Sequence, residues 1–361
     1  MKKFALAAVA FGFAAGTAHA GSIQRDGDRS QILYEAGKNY LEFSVVNVAP
    51  SVSGVGTNAV LPLAGLQSGD IAKTYQTFSL GYKTEIDERL TFAIVANNPV
   101  GADISYPLQL YPFASATAII KSLAVTGYLK YQMNDRVSVY GGLRVQSLSG
   151  SVNLPPSPPF ATRYALSVDN DYKLGYVFGG AYEIPEIALR VALTYESKIE
   201  HDFRDTTGTK FDVEIPQAVT LHARTGIAAD TIIFGSARWQ EWSKFQVAPS
   251  DFTGVRSPLP IAFGADDYWT YELGVGRKFS ENWSGALTLG YEPDSGKPVG
   301  NLEGRDGFMS YGVAMKYTAE SYDVTLGVKY FDLGSATTTT IGSNFSDNDA
   351  LAVGLKVGFR F

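Results

Sequence analysis

Cysteine is absent from all 361 residues, which excludes disulfide scaffolds, thiol nucleophiles and thiolate-held metals together. Histidine is nearly absent. Of three, His19 falls in a leader segment, leaving His201 and His222, and two histidines without a third clustered ligand make no zinc site. No metal and no cofactor are expected. Charge is sparse at 18% of residues with a formal net of −6, which argues against a basic surface for nucleic acid. Beyond the first twenty residues, no run approaches the ~18 to 20 consecutive apolar residues that a membrane-spanning helix needs. An inner-membrane helical protein is thereby excluded. A transmembrane barrel is not, because its strands need only ~9 to 11 residues and turn half of them inward.

What the chain does contain is apolar and aromatic: 45% hydrophobic residues, 21 Tyr, 21 Phe and 37 Gly, too much for disorder. Residues 1–20 read as an export signal, with Lys2 and Lys3, an apolar run from Phe4 to Ala15, and Ala18-His19-Ala20 before the cleavage point. Their removal takes away both lysines and no acid, so the mature chain is the more acidic. Export narrows the location to periplasm, outer membrane or medium.

The mature chain alternates with period two. Leu351, Val353, Leu355, Val357, Phe359 and Phe361 fall on one face and Ala352, Gly354, Lys356, Gly358 and Arg360 on the other. Val139, Leu143 and Val145 alternate likewise with Ser138, Tyr140, Arg144 and Gln146, and Leu189, Val191 and Leu193 with Arg190, Thr194 and Glu196. A soluble sandwich would also alternate, so connection lengths decide. The spacing predicts fourteen strands, near 38–49, 73–83, 89–97, 120–132, 136–149, 162–183, 187–201, 216–227, 231–247, 266–279, 283–292, 306–318, 322–333 and 347–361. Their links sort into short turns rich in Asp, Glu, Asn or Pro, such as Asn134-Asp135 and Pro185-Glu186, alternating with links of ~12 to 25 residues. Short periplasmic turns and long outer loops are how outer-membrane barrels are built.

Prolines gather in or beside the links, as in Pro155-Pro156-Ser157-Pro158-Pro159, because a closed sheet cannot lose ladder donors. Aromatics including Tyr131, Tyr182, Trp239, Trp242, Tyr268, Trp269, Trp283, Tyr317 and Tyr330 sit near the expected strand ends, where a membrane interface favours them. Phe359 and Phe361 end an alternating strand with an aromatic, the form of signal that the barrel assembly machinery reads. The expected fold is all-β: a transmembrane antiparallel barrel of 14 strands over residues 38–361.

The chain resembles the FadL family of outer-membrane channels for long-chain fatty acids and other hydrophobic compounds. The resemblance is carried by ordered blocks: Gly37-Lys38-Asn39-Tyr40-Leu41-Glu42, Gly179-Gly180-Ala181-Tyr182-Glu183-Ile184-Pro185, Phe234-Gly235-Ser236-Ala237-Arg238-Trp239-Gln240-Glu241-Trp242, and Trp269-Thr270-Tyr271-Glu272-Leu273-Gly274-Val275-Gly276. It implies a lumen blocked by an N-terminal hatch, capture of ligand among the outer loops, and lateral release into the outer-membrane lipid through a gap at a kinked third strand. Such a route keeps an acyl chain, worth ~0.8 kcal/mol per buried methylene, out of water.

Mapped onto this sequence, residues 21–37 are the hatch-like segment, with Arg25, Asp26, Asp28 and Arg29 available to meet polar wall residues. The segment is shorter than the family's plug and lacks its Asn-Pro-Ala motif. Asn97, Asn98, Pro99 and Gly101 form the candidate lateral gate, where Pro removes a donor and Gly permits a bend. Leu61, Leu63, Leu66, Leu108, Leu110, Tyr111, Phe113 and Phe160 are numerous apolar residues for outer loops, and exposed apolar surface marks binding. They are the candidate capture site. Inward-facing Arg144, Arg190 and Arg224 either hold a carboxylate head group or pair with Glu196 and its neighbours.

His222 reads as a polar wall residue and His201 as a solvated loop residue beside Asp202, so no enzyme is expected. The expected function is passive uptake of hydrophobic molecules, with long-chain fatty acids the expected class. A general diffusion porin is the alternative, and a surface adhesin or structural barrel comes third.

Overall fold

The computed structural model describes residues 23–57, 64–156, 162–339 and 341–361. The expected signal segment and the loop residues Leu61, Leu63 and Phe160 lie outside them.

Fourteen antiparallel strands join edge to edge in chain order and close on themselves. They are β1 (Asn39–Ser51), β2 (Tyr75–Glu85), β3 (Leu90–Asn97), β4 (Thr117–Gln132), β5 (Val137–Leu154), β6 (Tyr164–Ile184), β7 (Leu189–Glu196), β8 (Ala218–Ala228), β9 (Thr231–Gln240), β10 (Tyr268–Lys278), β11 (Trp283–Glu292), β12 (Phe308–Thr318), β13 (Tyr322–Leu333) and β14 (Asn348–Arg360). The ring closes through β1 and β14, in register from Tyr40↔Arg360 to Ser51↔Asp349. Closure pairs every strand on both sides and removes the sheet edges that lipid cannot satisfy.

Short turns join the strands at one rim, and some are set by a single side chain. Asp87 Oδ1 accepts from the N–H groups of Arg89 and Leu90 at 2.7 and 2.8 Å, and Asn134 Oδ1 accepts from Arg136 and Val137 at 2.9 and 3.0 Å. These are Asx turns, which is why Asp and Asn recur there.

The two faces of the wall differ as the alternation requires. Leu143, Leu174, Phe178, Leu287 and Leu355 are exposed on the outside, whereas Ser138, Gln146, Thr194 and Ser310 are buried inside. An apolar outer band around a polar interior is the arrangement a bilayer selects.

The outer links fold over the opposite rim. Ile199–Arg204 and Lys210–Ile215 form a hairpin, Gln246–Val247 pairs with Ala262–Phe263, and Asn344–Phe345 pairs with both Gly54–Val55 and Ala336–Thr337. Phe203, Phe211, Trp242, Phe245 and Phe345 make an apolar core beneath them.

Several expectations are corrected here. The strand expected over 187–201 stops at Glu196, and the one expected over 231–247 stops at Gln240. In both, apolar residues recur on the same parity beyond the strand end, Ile199 after the first and Phe245 and Val247 after the second. Trp242 and Tyr268 are buried in the loop core rather than at a membrane interface. His201 is fully buried in the outer hairpin, with Nδ1 3.1 Å from Asp171 Oδ2, and is not a solvated residue.

Candidate functional site

The segment from Ile23 to Gly37 runs inside the ring and is bonded to the wall on several sides. The Asp28 carboxylate, fully buried, accepts from Ser30 Oγ at 2.7 Å and Thr194 Oγ1 at 2.9 Å, and lies 3.2 Å from His222 Nε2. Ser30 Oγ also lies 3.1 Å from Thr194 Oγ1 and 3.3 Å from Tyr140 OH. Arg190 donates to Gln31 Oε1 at 3.1 Å and covers the Tyr34 ring, while Tyr34 OH sits 3.1 Å from Ser138 Oγ. On the opposite wall Lys83 Nζ donates to the Glu35 and Gly37 carbonyls, and Lys356 Nζ reaches Glu35 at 3.3 Å and Glu42 at 2.8 Å.

The segment is therefore pinned to β2, β5, β7, β8 and β14. A short helical turn, Ser30–Tyr34, buries Ile32 and Leu33 against Tyr40, Val95, Tyr128 and Tyr140. The packing is close at Gly81, where a Cβ would stand 2.5 Å from Ile32 Cδ1 and the end of that side chain would have to shift.

The upper portion of the segment lies against a break in the wall. β3 stops at Asn97, and after Asn98-Pro99-Val100 the chain resumes as a short strand, Gly101–Ser105, which pairs only with β4 in the main sheet. Pro99 brings no N–H to a ladder, and its carbonyl accepts instead from the N–H groups of Arg25 at 2.9 Å and Asp26 at 3.2 Å. Gly101 N–H donates to Ile23 O at 2.7 Å, Arg25 Nε donates to Gly101 O at 2.7 Å, and Asn97 Nδ2 donates to Asp26 Oδ2 at 2.6 Å. Asp26 is also paired with Arg29. All four charged residues expected in the segment are thus engaged, and the four residues expected at the gate lie at the break.

Two cavities lie above the segment. One sits under the outer loops and is lined by apolar side chains such as Ile120, Leu166, Phe203, Phe211 and Phe245, with two serines and no charged residue. The other reaches Arg25, Lys73, Asp103, Glu303 and Arg305. Leu302 lines both.

The expected capture residues separate. Leu66 and Phe113 pack against the loop core, while Tyr111 is buried in it, with its OH donating to Ser343 Oγ at 2.7 Å and its ring stacked on Tyr106. Burial pushes the Tyr111 phenol up to about 12. Leu108 and Leu110 are 88% and 84% exposed and line neither cavity. Arg144 donates to Glu196 at 2.7 Å and Thr126 at 3.0 Å, and Arg238 binds the other Glu196 oxygen. Arg190 and Arg224 are directly opposed across β7 and β8. None of the three lines either cavity. The residues that do line the apolar cavity, such as Phe203 and Phe211, are missed because they fall in the link expected between strands 187–201 and 216–227, which folds as a hairpin. Their signal is the repeat of Phe at matching positions either side of Thr207-Gly208.

His201 and Asp205, also in the outer loops, are displaced too. Burial lowers the His201 imidazole below its ordinary value, against the opposing pull of Asp171. Burial alone would raise the Asp205 carboxyl, but bonds from the Thr207 and Ser250 hydroxyls and from backbone N–H groups hold it below the usual carboxylate range.

A closed barrel with an apolar outer band, an internally bonded segment across its lumen and an apolar cavity above it is an outer-membrane transport barrel. The chain belongs to the outer membrane transport protein family OMPP1/FadL/TodX, whose family model matches residues 30–295. Among solved structures it is similar to a Pseudomonas aeruginosa FadL homologue, at 15% identity and a TM-score of 0.75 over 96% of this chain and 97% of that one. The Ralstonia pickettii toluene transporter TbuX matches at 10% identity and 0.63, over 97% and 99%. The CymD monoaromatic hydrocarbon channel matches at 12% and 0.62, over 96% and 97%. No curated sequence matches the chain. The neighbours share its fold, and the family model carries the relationship.

Proposed function

We propose that this protein takes up hydrophobic small molecules passively, catching them in the apolar cavity under the outer loops and releasing them sideways into the membrane at Asn97–Gly101. The observation that carries this reading is the break after β3. A water-filled pore has no use for an opening in its wall, whereas an oily ligand gains by leaving into lipid rather than into periplasmic water. The lumen itself is crossed by residues 23–37, which opposes axial passage. A carboxylate-bearing ligand such as a long-chain fatty acid and a neutral hydrocarbon both suit an apolar cavity above a charged one, and toluene and monoaromatic transport are named for structural neighbours. The exported chain is proposed to begin with the hatch at Gly21.

Straightening the wall tests the reading. With Pro99→Val and Gly101→Val together, uptake of radiolabelled oleate and toluene by intact cells expressing the full chain should fall while the amount of folded barrel in the outer membrane is unchanged. Unchanged uptake in a folded double variant would remove lateral release. Steady ion conductance and sugar entry in the unaltered protein would favour a diffusion porin instead.

A further inference from the structure

Among the main-chain groups that the break leaves without ladder partners is one on each flank. Pairing between β2 and β3 ends at Ser79↔Asn97, and pairing along β4 passes from Asn97↔Ala124 to Gly101↔Lys121. The Phe78 N–H on one flank and the Ser122 C=O on the other therefore face a gap. The side chains of Phe78 and Leu123 are exposed on the outer face, so the gap lies within the apolar band, where an unsatisfied N–H or C=O is strongly unfavourable.

A single side chain serves both groups. Phe78 N–H donates to Asn98 Oδ1 at 3.2 Å, and Asn98 Nδ2 donates to Ser122 O at 2.9 Å. A carboxamide presents a donor and an acceptor side by side, which carboxylate, hydroxyl and aliphatic side chains of similar size do not offer in the same geometry. Ser122 Oγ plays the matching role for Val100, accepting from its N–H at 3.0 Å and donating to its carbonyl at 2.5 Å. The wall is thus stitched by side chains where its backbone parts.

We propose that Asn98 is the bar across the lateral opening: its carboxamide holds β2 to β4 at rest, and a ligand passes into the membrane when those two hydrogen bonds break. The inference rests on the lateral-release reading and names the group that controls it. Below the break, main-chain ladders join β2 to β3 and β3 to β4. At the break one rotatable side chain spans β2 to β4, so this is where the barrel opens with the least disruption.

The test compares Asn98→Ala and Asn98→Asp with the unaltered full chain in intact cells that lack other hydrophobic-uptake barrels. Initial uptake of radiolabelled oleate and toluene is measured beside the affinity of purified protein for a fluorescent polyene fatty acid. Folding is checked by heat-modifiable gel mobility. Asn98→Ala removes both bonds, and uptake should rise at least threefold with affinity within twofold of the unaltered protein. Asn98→Asp keeps the acceptor, loses the donor and should also be faster; it gives the same reading if the alanine variant fails to fold. Uptake that is unchanged or slower in a folded variant overturns the proposal. If the Pro99→Val, Gly101→Val variant slows uptake and Asn98→Ala changes nothing, only the bar is wrong. If neither variant affects uptake, lateral release falls with it.

Discussion

Asp28 Oδ2 lies 3.2 Å from His222 Nε2, joining the segment inside the lumen to the middle of strand β8 across 194 positions of sequence. With the Ser30 and Thr194 hydroxyls on the same carboxylate, this buried acid ties the segment to β7 and β8.

Removing it should loosen the plug without unfolding the ring. Losing charge-assisted bonds at Asp28→Ala costs about 2 kcal/mol, which multiplies the unplugged fraction by roughly 30. Single-channel recordings in planar bilayers should show more frequent openings. A closed-state record identical to that of the unaltered protein would mean the anchor is elsewhere.

Glu196 is held between Arg144 and Arg238, all three largely shielded from water. Glu196→Ala leaves two buried guanidinium groups uncompensated and should lower barrel stability by about 3 to 5 kcal/mol. Denaturant-dependent refolding into detergent micelles measures it. A loss below about 1 kcal/mol, the scale of an exposed pair, would show that water or Asp28 takes over the charges.

Acid should loosen the outer hairpin before the barrel. A lowered His201 means the unfolded hairpin binds a proton before the folded one, so stability present above the ordinary value of 6.5 is lost as pH falls below it. Asp205, also lowered, continues the loss through the ordinary carboxylate range. Hydrogen exchange in residues 199–215 should therefore quicken between neutral pH and about pH 4 after correction for intrinsic rates, while exchange in β10–β13 stays slow. A uniform response would contradict this.

Leu302 lines both cavities and is buried between them. Leu302→Trp should narrow the passage and slow uptake of oleate at least tenfold, on the scale of about 1.4 kcal/mol added to the barrier. Leu302→Ala should not slow it. Equal rates in both would place the passage away from this side chain.

Phe361 is 70% exposed and bonds through its backbone to Asn39 on β1. Deleting it should lower the fraction of chain inserted in the outer membrane, read by fractionation and gel mobility. Normal insertion would show that the assembly signal does not need this aromatic.

Most of the wall is legible in the sequence because period-two alternation and loop parity are both dictated by lipid on one side and a lumen on the other. Strands 283–292 and 322–333 match their expected bounds, and most others begin or end within a few residues of expectation. Two strands are read too long: Ile199 and His201 carry the expected strand 187–201 past the Ser197-Lys198 turn into the outer hairpin, and Phe245 and Val247 carry 231–247 past Gln240. The charged residues of 21–37 are legible as partners for a polar wall, but not which partners, since Asp28 with His222 and Gln31 with Arg190 are joined only by ring closure. Asn98 stands out in the sequence as the neighbour of a proline. That its side chain replaces main-chain bonds depends on where Phe78 and Ser122 come to rest, which no local pattern encodes.

The backbone of Arg25 and Asp26 hangs from the Pro99 carbonyl, and Asn97 grips the Asp26 side chain. On the proposed route, stopper and side door share these few residues of wall, so a load applied to either would reach the other and the two would move as one.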